Sequence, residues 1–136
     1  MDTNNLLRQH QEMLDLAAKI SAYQSQLQVK ENGSTISTLL SQLAGKLKMH
    51  LMVEDQFVYP KLAMHSDVQI QKTSQNFANE MGDLGKAFDN YKTRYMGANK
   101  IADNADMFIT DTKNVVAALT KRMDKENQLL YPLLSK

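Results

Sequence analysis

Two stretches with one pattern decide how this chain folds: MHLMVEDQFVYP (Met49–Pro60) and KRMDKENQLLYP (Lys121–Pro132). At an offset of 72 residues, a glutamate falls on a glutamate, a glutamine on a glutamine and a Tyr-Pro pair on a Tyr-Pro pair. The same offset places His50 on Arg122. The repeat therefore predicts two similar halves that differ at one residue with metal-binding chemistry.

The composition is that of one globular domain. A chain of 136 residues with 43% hydrophobic content can bury a core without disulfides or structural metals, so we predict a single domain over residues 1–136. Sixteen basic residues balance fifteen acidic ones without local concentration, so neither nucleic acid nor an anionic membrane is indicated as a partner. Since there is no cysteine, any metal must be held by His, Asp, Glu or Tyr.

The start of the chain carries neither a charged region nor an apolar run of the secretory kind, and no segment approaches the roughly 20 apolar residues of a membrane span. We therefore expect a cytoplasmic protein that is not processed at its N-terminus.

Apolar residues recur at helical spacing, and only two prolines and five glycines interrupt them. Gly33 is expected to end the first helix and Ser34 or Thr35 to cap the second. The pattern predicts an all-α, up-down-up-down antiparallel four-helix bundle with both termini at one end. Its helices are predicted near residues 3–30, 35–64, 67–96 and 105–135.

The inward stripes of these helices contain polar residues. The stripe of the first helix is predicted to comprise Leu6, His10, Met13, Ala17, Ile20 and Leu27. The second is predicted to comprise Ile36, Leu40, Leu43, Leu47, His50, Glu54 and Phe57. The fourth is predicted to comprise Phe108, Val115, Leu119, Arg122, Glu126, Leu129 and Leu133, whereas the third is apolar or aromatic throughout. An unpaired buried carboxylate costs several kcal/mol, so these inward polar groups must meet one another, a metal or water.

The chain resembles the hemerythrin-like (HHE cation-binding) family over nearly its whole length. The resemblance is carried by RQHQEM around His10, by HLMVEDQFVYPKL for His50 and Glu54, and by ENQLLYPLL for Glu126. It implies a four-helix bundle that holds a non-haem di-iron centre, each hairpin supplying an inward histidine and an H-x-x-x-E or similar pair. The chain departs from that pattern in its second hairpin, where Met81 and Arg122 stand at the family's histidine positions.

We therefore predict at most one metal per chain, held by His10, His50 and Glu54 with Glu126 as fourth ligand. Two imidazoles with a carboxylate suit iron, zinc or manganese, and the resemblance favours iron. The alternative is a metal-free polar cluster, in which Arg122 hydrogen-bonds Glu126 and Glu54 and replaces the metal charge. A third interpretation places the stem of Arg122 along the stripe and its head in solvent.

Two functions follow from these alternatives. The first is a cation-binding protein that acts as a metal, oxygen or redox sensor or as a storage module, and that is not an enzyme. The second is a metal-free regulatory or protein-interaction bundle, and a homodimer or another protein partner is compatible with both. No glycine-rich phosphate loop, cysteine nucleophile or Ser-His-Asp arrangement supports other catalysis. Tyr59 and Tyr131 are expected to pack with their hydroxyls on polar partners, with a role behind the metal ligands left open.

Overall fold

The computed structural model describes residues 3–136, which are helical and contain no strand. The α-helices are α1 Asn4–Ser21, α2 Gln26–Glu31, α3 Gly33–Val53, α4 Tyr59–Ala63, α5 Val68–Arg94, α6 Ala98–Asp103 and α7 Ala105–Lys125. Two π-helical turns, Glu54–Val58 and Glu126–Leu130, connect α3 to α4 and α7 to a final 3₁₀ turn, Tyr131–Ser135. None of the helices in this part of the chain is long and apolar enough to cross a membrane.

The long elements form the predicted bundle. α1 packs on α3 and α7, and α5 packs on α4 and α7. Leu6 and Leu134 share one apolar cluster with Leu62 and Ile70, so the start of α1 and the final 3₁₀ turn lie beside the α4–α5 connection at the same end of the bundle. The all-α, up-down-up-down prediction is confirmed. We refer to α1–α4 as hairpin one and to α5 through the C-terminus as hairpin two.

The predicted first helix, residues 3–30, is wrong in its second half because the helix ends at Ser21. α2 starts afresh from Ser25, whose hydroxyl accepts the Gln28 N–H while the Gln28 side chain accepts the Ser25 N–H. This capping box satisfies two backbone donors at once, and its Ser-x-x-Gln pattern was visible in the sequence. Leu27, predicted to face inward, lies on α2 and is 65% exposed.

Gly33 does not end a helix, which corrects a second prediction. Gly33 is the first residue of α3, Asn32 occupies the N-cap, and neither Ser34 nor Thr35 caps the helix. A Cβ atom at Gly33 would lie 3.0 Å from the carbonyl oxygen of Ala98. The glycine therefore permits the close approach of α3 to α6.

The two π turns share one cause and one geometry. The N–H of Tyr59 donates to the carbonyl of Glu54, five residues back, and Tyr131 repeats this bond at the second turn. In both copies the next residue is proline, which has no N–H and whose ring crowds the carbonyl four residues before it. The helix therefore widens by one residue at both copies of the repeat.

The extra residue shifts the helical register beyond each turn. Val58 and Leu130 are fully buried, whereas their neighbours Phe57 and Leu129 are 55% and 56% exposed. The prediction that Phe57 and Leu129 face inward is therefore wrong, because uniform helical spacing does not hold across a π turn. The shift also turns residue 131 towards the bundle axis.

Candidate metal centre

The polar residues of the inward stripes meet in one layer of the bundle. His10, His50, Glu54 and Glu126 are at most 2% exposed, and they lie between an apolar cluster near the chain ends and a larger one towards α2 and α6. α1 supplies His10 and α3 supplies His50, whereas each glutamate is the first residue of a π turn. The fold thus places all four predicted site residues together.

The side chains approach through particular atoms. His10 Nε2 lies 3.0 Å from His50 Nε2 and 2.9 Å from Glu126 Oε1. His50 Nε2 lies 3.5 Å from the same Glu126 oxygen and 3.4 Å from Glu54 Oε1. Ligand atoms of His10, His50 and Glu126 all lie within 4.8 Å of one another, which is close enough for one metal ion to bind all three.

Both imidazoles are held by amide oxygens on their outer side. His10 Nδ1 donates to Asn127 Oδ1 at 2.8 Å, and His50 Nδ1 donates to Gln9 Oε1 at 2.8 Å. An amide oxygen accepts but never donates, so each Nδ1 carries hydrogen and, in the neutral ring, each Nε2 presents its lone pair to the centre. Metal-binding histidines are oriented in this way. The sequence analysis did not predict that Gln9 and Asn127 bind the histidines. The signal available in the sequence was that Gln9 is next to His10 and Asn127 is next to Glu126.

The hydroxyl of Tyr131 lies inside the cluster, which sequence reasoning had predicted only as contact with polar partners. It lies 3.0 Å from His10 Nε2 and 3.3 Å from His50 Nε2. It also donates to Glu54 Oε2 at 3.0 Å and lies 3.4 Å from Glu126 Oε1. The ring stacks on the imidazole of His10 with centroids 5.4 Å apart. The π turn explains this position, because it returns the fifth residue after Glu126 to the inner face.

Burial and proximity shift the titration of the cluster. Burial, together with the nearby Glu126 carboxylate, raises the pKa of Glu54 to about 8. Burial alone would lower the pKa of His50, but the Glu126 and Glu54 carboxyl groups outweigh it and raise that pKa to about 9. Burial would raise the pKa of Glu126, yet hydrogen bonds from His10 and His50 hold it well below its usual range. At neutral pH the metal-free cluster therefore balances a His50 cation against the Glu126 anion.

Comparison with known families gives one match. The model of the hemerythrin HHE cation binding domain matches residues 1–134. The chain belongs to the hemerythrin HHE family. Comparisons with curated proteins and with solved structures gave no match. Cation binding by the hemerythrin family agrees with the chemistry of the cluster, since Glu54 Oε1 and Glu126 Oε2 are buried oxygens without a hydrogen-bond partner.

Hairpin two of this hemerythrin domain holds other chemistry at the corresponding place. Met81 is buried in the larger apolar cluster. Arg122 Nη2 donates to the carbonyl oxygen of Phe77 at 2.8 Å, and Nη1 pairs with Glu80, whose side chain is 57% exposed. The guanidinium carbon also lies 4.3 Å from the centroid of the Phe77 ring.

The prediction that Arg122 hydrogen-bonds Glu126 and Glu54 is therefore wrong. A guanidinium between two buried carboxylates would lose all its hydration, whereas Glu80 pairs with it at the edge of the bundle. The third interpretation, in which the stem follows the stripe and the head leaves it, is nearer to the structure.

The two hairpins nevertheless keep one layout. Gln9 precedes His10 and binds His50, and Glu80 precedes Met81 and binds Arg122. Hairpin two of the hemerythrin bundle thus repeats the layout of hairpin one. It has an ion pair where hairpin one has a hydrogen bond between an amide and an imidazole.

Proposed function

We propose that this hemerythrin-like protein binds one metal ion through His10, His50, Glu126 and Glu54, and that it acts as a metal, oxygen or redox sensor or as a storage module. One observation carries the proposal. Two buried imidazoles, each held from behind by an amide oxygen, point their Nε2 atoms at one carboxylate oxygen. A cluster that served only packing would not need both Nε2 atoms to converge.

Iron is the metal that we propose, with zinc or manganese as alternatives. Imidazole and carboxylate together suit these ions, and no soft thiolate ligand exists in the chain. The unpartnered oxygens of Glu54 and Glu126 supply further ligand capacity in a buried layer. The hemerythrin HHE cation-binding family supports a metal ion at this site.

A stoichiometry of one metal ion per chain supports a role in binding the metal rather than in catalysis. Met81 offers only a thioether in an apolar cluster, and Arg122 places a permanent cation in hairpin two. Two-metal oxygen chemistry needs the ligands that hairpin two lacks. We accordingly propose a role in binding rather than catalysis.

The charge balance of the metal-free cluster supports reversible occupancy. The His50 cation and the Glu126 anion neutralise each other, so loss of metal does not leave a bare buried charge. Both states can therefore remain folded, as a sensor or store requires. The alternative of a metal-free bundle with Arg122 as the substitute cation loses its main support, because the contacts of Arg122 lie on α5.

Calorimetric titration of the metal-free protein with Zn(II), and anaerobically with Fe(II), tests the proposal. We expect one equivalent to bind, and His50→Ala to weaken binding at least about 100-fold, since losing even a residue that hydrogen-bonds a metal ligand costs about 10–100-fold. His65→Ala is the matched control, because His65 lies in the α4–α5 connection and should leave binding unchanged. Absence of binding, unchanged binding by His50→Ala, or two tight equivalents would each refute the proposal.

A further inference from the structure

Four atoms in the centre of the bundle form a closed tetrahedron. They are His10 Nε2, His50 Nε2, Glu126 Oε1 and the hydroxyl oxygen of Tyr131. All six distances between them are similar: 3.0, 2.9, 3.5, 3.0, 3.3 and 3.4 Å. Three elements contribute these atoms: α1, α3 and the last part of hairpin two.

Hydrogen bonds alone do not account for six such contacts. The Nδ1 hydrogens of both histidines are directed outward to amide oxygens, and the Tyr131 hydroxyl donates its single hydrogen to Glu54 Oε2. In a neutral His10 ring Nε2 carries only a lone pair, and an ionised Glu126 also carries only lone pairs, so the Nε2 hydrogen of the His50 cation is the one hydrogen left among these four atoms. That hydrogen serves at most two of the six contacts, so the others bring acceptor against acceptor in a buried layer, which is unfavourable without a cation between them.

The size of the tetrahedron fits a metal ion. A regular tetrahedron with these edges has its centre about 2 Å from each corner, and Zn–N and Zn–O bonds in proteins measure about 2.0–2.2 Å. Glu54 lies outside this set, because its Oε2 contacts the hydroxyl of Tyr131 and its Oε1 contacts His50. We therefore propose, building on the single-metal function above, that Tyr131 is a direct metal ligand through its phenolate oxygen.

Metal binding would release two protons from the cluster. The O–H bond of Tyr131 breaks as the phenolate oxygen becomes a ligand, and its proton leaves to solvent together with the Nε2 proton of His50. Glu54 Oε2, 3.0 Å from the hydroxyl of Tyr131, is the nearest additional oxygen. Two anionic oxygens, from Tyr131 and Glu126, favour a hard, highly charged ion, so the site should hold ferric iron more tightly than divalent zinc.

The repeat supplies a matched control in Tyr59. Tyr59 stands 72 residues before Tyr131, follows the first π turn in the same way and precedes the same proline. Its hydroxyl is buried and has no hydrogen-bond partner within residues 3–136. Tyr59→Phe therefore removes an equivalent hydroxyl without removing a corner of the tetrahedron.

The test is the visible spectrum of the protein loaded with one equivalent of Fe(III). Wild type and Tyr59→Phe should show a phenolate-to-iron charge-transfer band, and resonance Raman excitation in that band should enhance tyrosinate ring modes. Tyr131→Phe should lose the band and bind Zn(II) at least about tenfold more weakly. A spectral loss identifies ligation, because a purely structural role of Tyr131 would change affinity without producing a tyrosinate band in the wild type.

The outcomes separate this inference from the proposed function. Wild type that holds one ferric ion without a tyrosinate band, or Tyr131→Phe that keeps the band, overturns the role of Tyr131 and leaves the single-metal proposal standing. Wild type that binds no metal overturns both. If Tyr131→Phe does not fold, the wild-type Raman spectrum together with Tyr59→Phe still decides, because loss of the band in Tyr59→Phe would assign it to the wrong tyrosine.

Discussion

Replacing Arg122 by methionine should destabilise the protein moderately and independently of metal. Methionine keeps most of the buried stem but removes the guanidinium, which pairs with Glu80 and contacts Phe77. Neither partner is left as an unpaired buried charge, because the Glu80 side chain is 57% exposed and can turn to water. The carbonyl of Phe77 also lies inside α5, where the helix supplies its own donor.

The magnitude follows from the three contacts that are lost. A hydrogen bond from a charged donor contributes about 1.5–3 kcal/mol, a cation–π contact about 0.5–2 and an exposed ion pair at most about 1. Removing a charge from a position only 6% exposed offsets part of this loss. We expect a net decrease in unfolding free energy of about 2 kcal/mol, which corresponds to roughly 5–10 °C in the thermal midpoint.

Urea denaturation with chelator and with saturating Zn(II) measures this decrease. The decrease caused by Arg122→Met should agree within about 0.5 kcal/mol in the two conditions, because residues without shared partners contribute additively. Glu80→Gln is the control and should cost less than about 1 kcal/mol. If zinc restores the stability lost in Arg122→Met, the guanidinium acts on the carboxylates after all and the structural argument fails.

Three further predictions concern backbone packing, pH and metal stoichiometry. Gly33→Ala should lower the unfolding free energy by about 1–3 kcal/mol, because the added Cβ meets a backbone carbonyl. Gly82→Ala, whose Cβ has nothing within 4 Å, should raise it by about 0.5–1 kcal/mol. Equal urea midpoints for the two variants would contradict this. Because the raised pKa of His50, about 9, keeps the ring protonated below that pH, Zn(II) affinity should rise at least about tenfold per pH unit from 7 towards 9. A calorimetric affinity independent of pH would refute the proton competition. The triple variant Glu80→Gln, Met81→His and Arg122→His should raise bound metal towards two per chain, as measured by elemental analysis. A value that stays at one would show that these changes do not create a second metal site in hairpin two.

The sequence predicted which side chains face inward up to the first residue of each π turn. Helical spacing held from the start of α3 to Glu54 and from the start of α7 to Glu126, so the inward position of both glutamates followed from periodicity. His10 followed from the same periodicity in α1. These positions depend only on local helix geometry and on which faces are apolar.

Periodicity failed where the helix widened. Phe57 and Leu129 were predicted to face inward because uniform spacing ignores the extra residue of a π turn. For the same reason Tyr131 was predicted to contact polar partners, but not to lie among both histidines. The prolines that follow gave a signal, since proline disturbs the carbonyl four residues before it. The prediction for the partners of Arg122 was wrong for another reason. The position of a residue on a stripe determines where its side chain leaves the helix, but not where the end of a long, flexible side chain lies.

The start of α1, the final 3₁₀ turn and the α4–α5 connection lie at one end of the bundle. This arrangement has a consequence for folding order. A short linker could join the ends there, and the chain could be reopened at Ser66, giving a circular permutant in which hairpin two precedes hairpin one. His10 and Glu126, now 116 residues apart, would then be separated by roughly 20 residues plus the linker. A contact between distant parts of the natural chain would become more local in the permutant, so the pairing of His10 with Glu126 should form before hairpin one is complete.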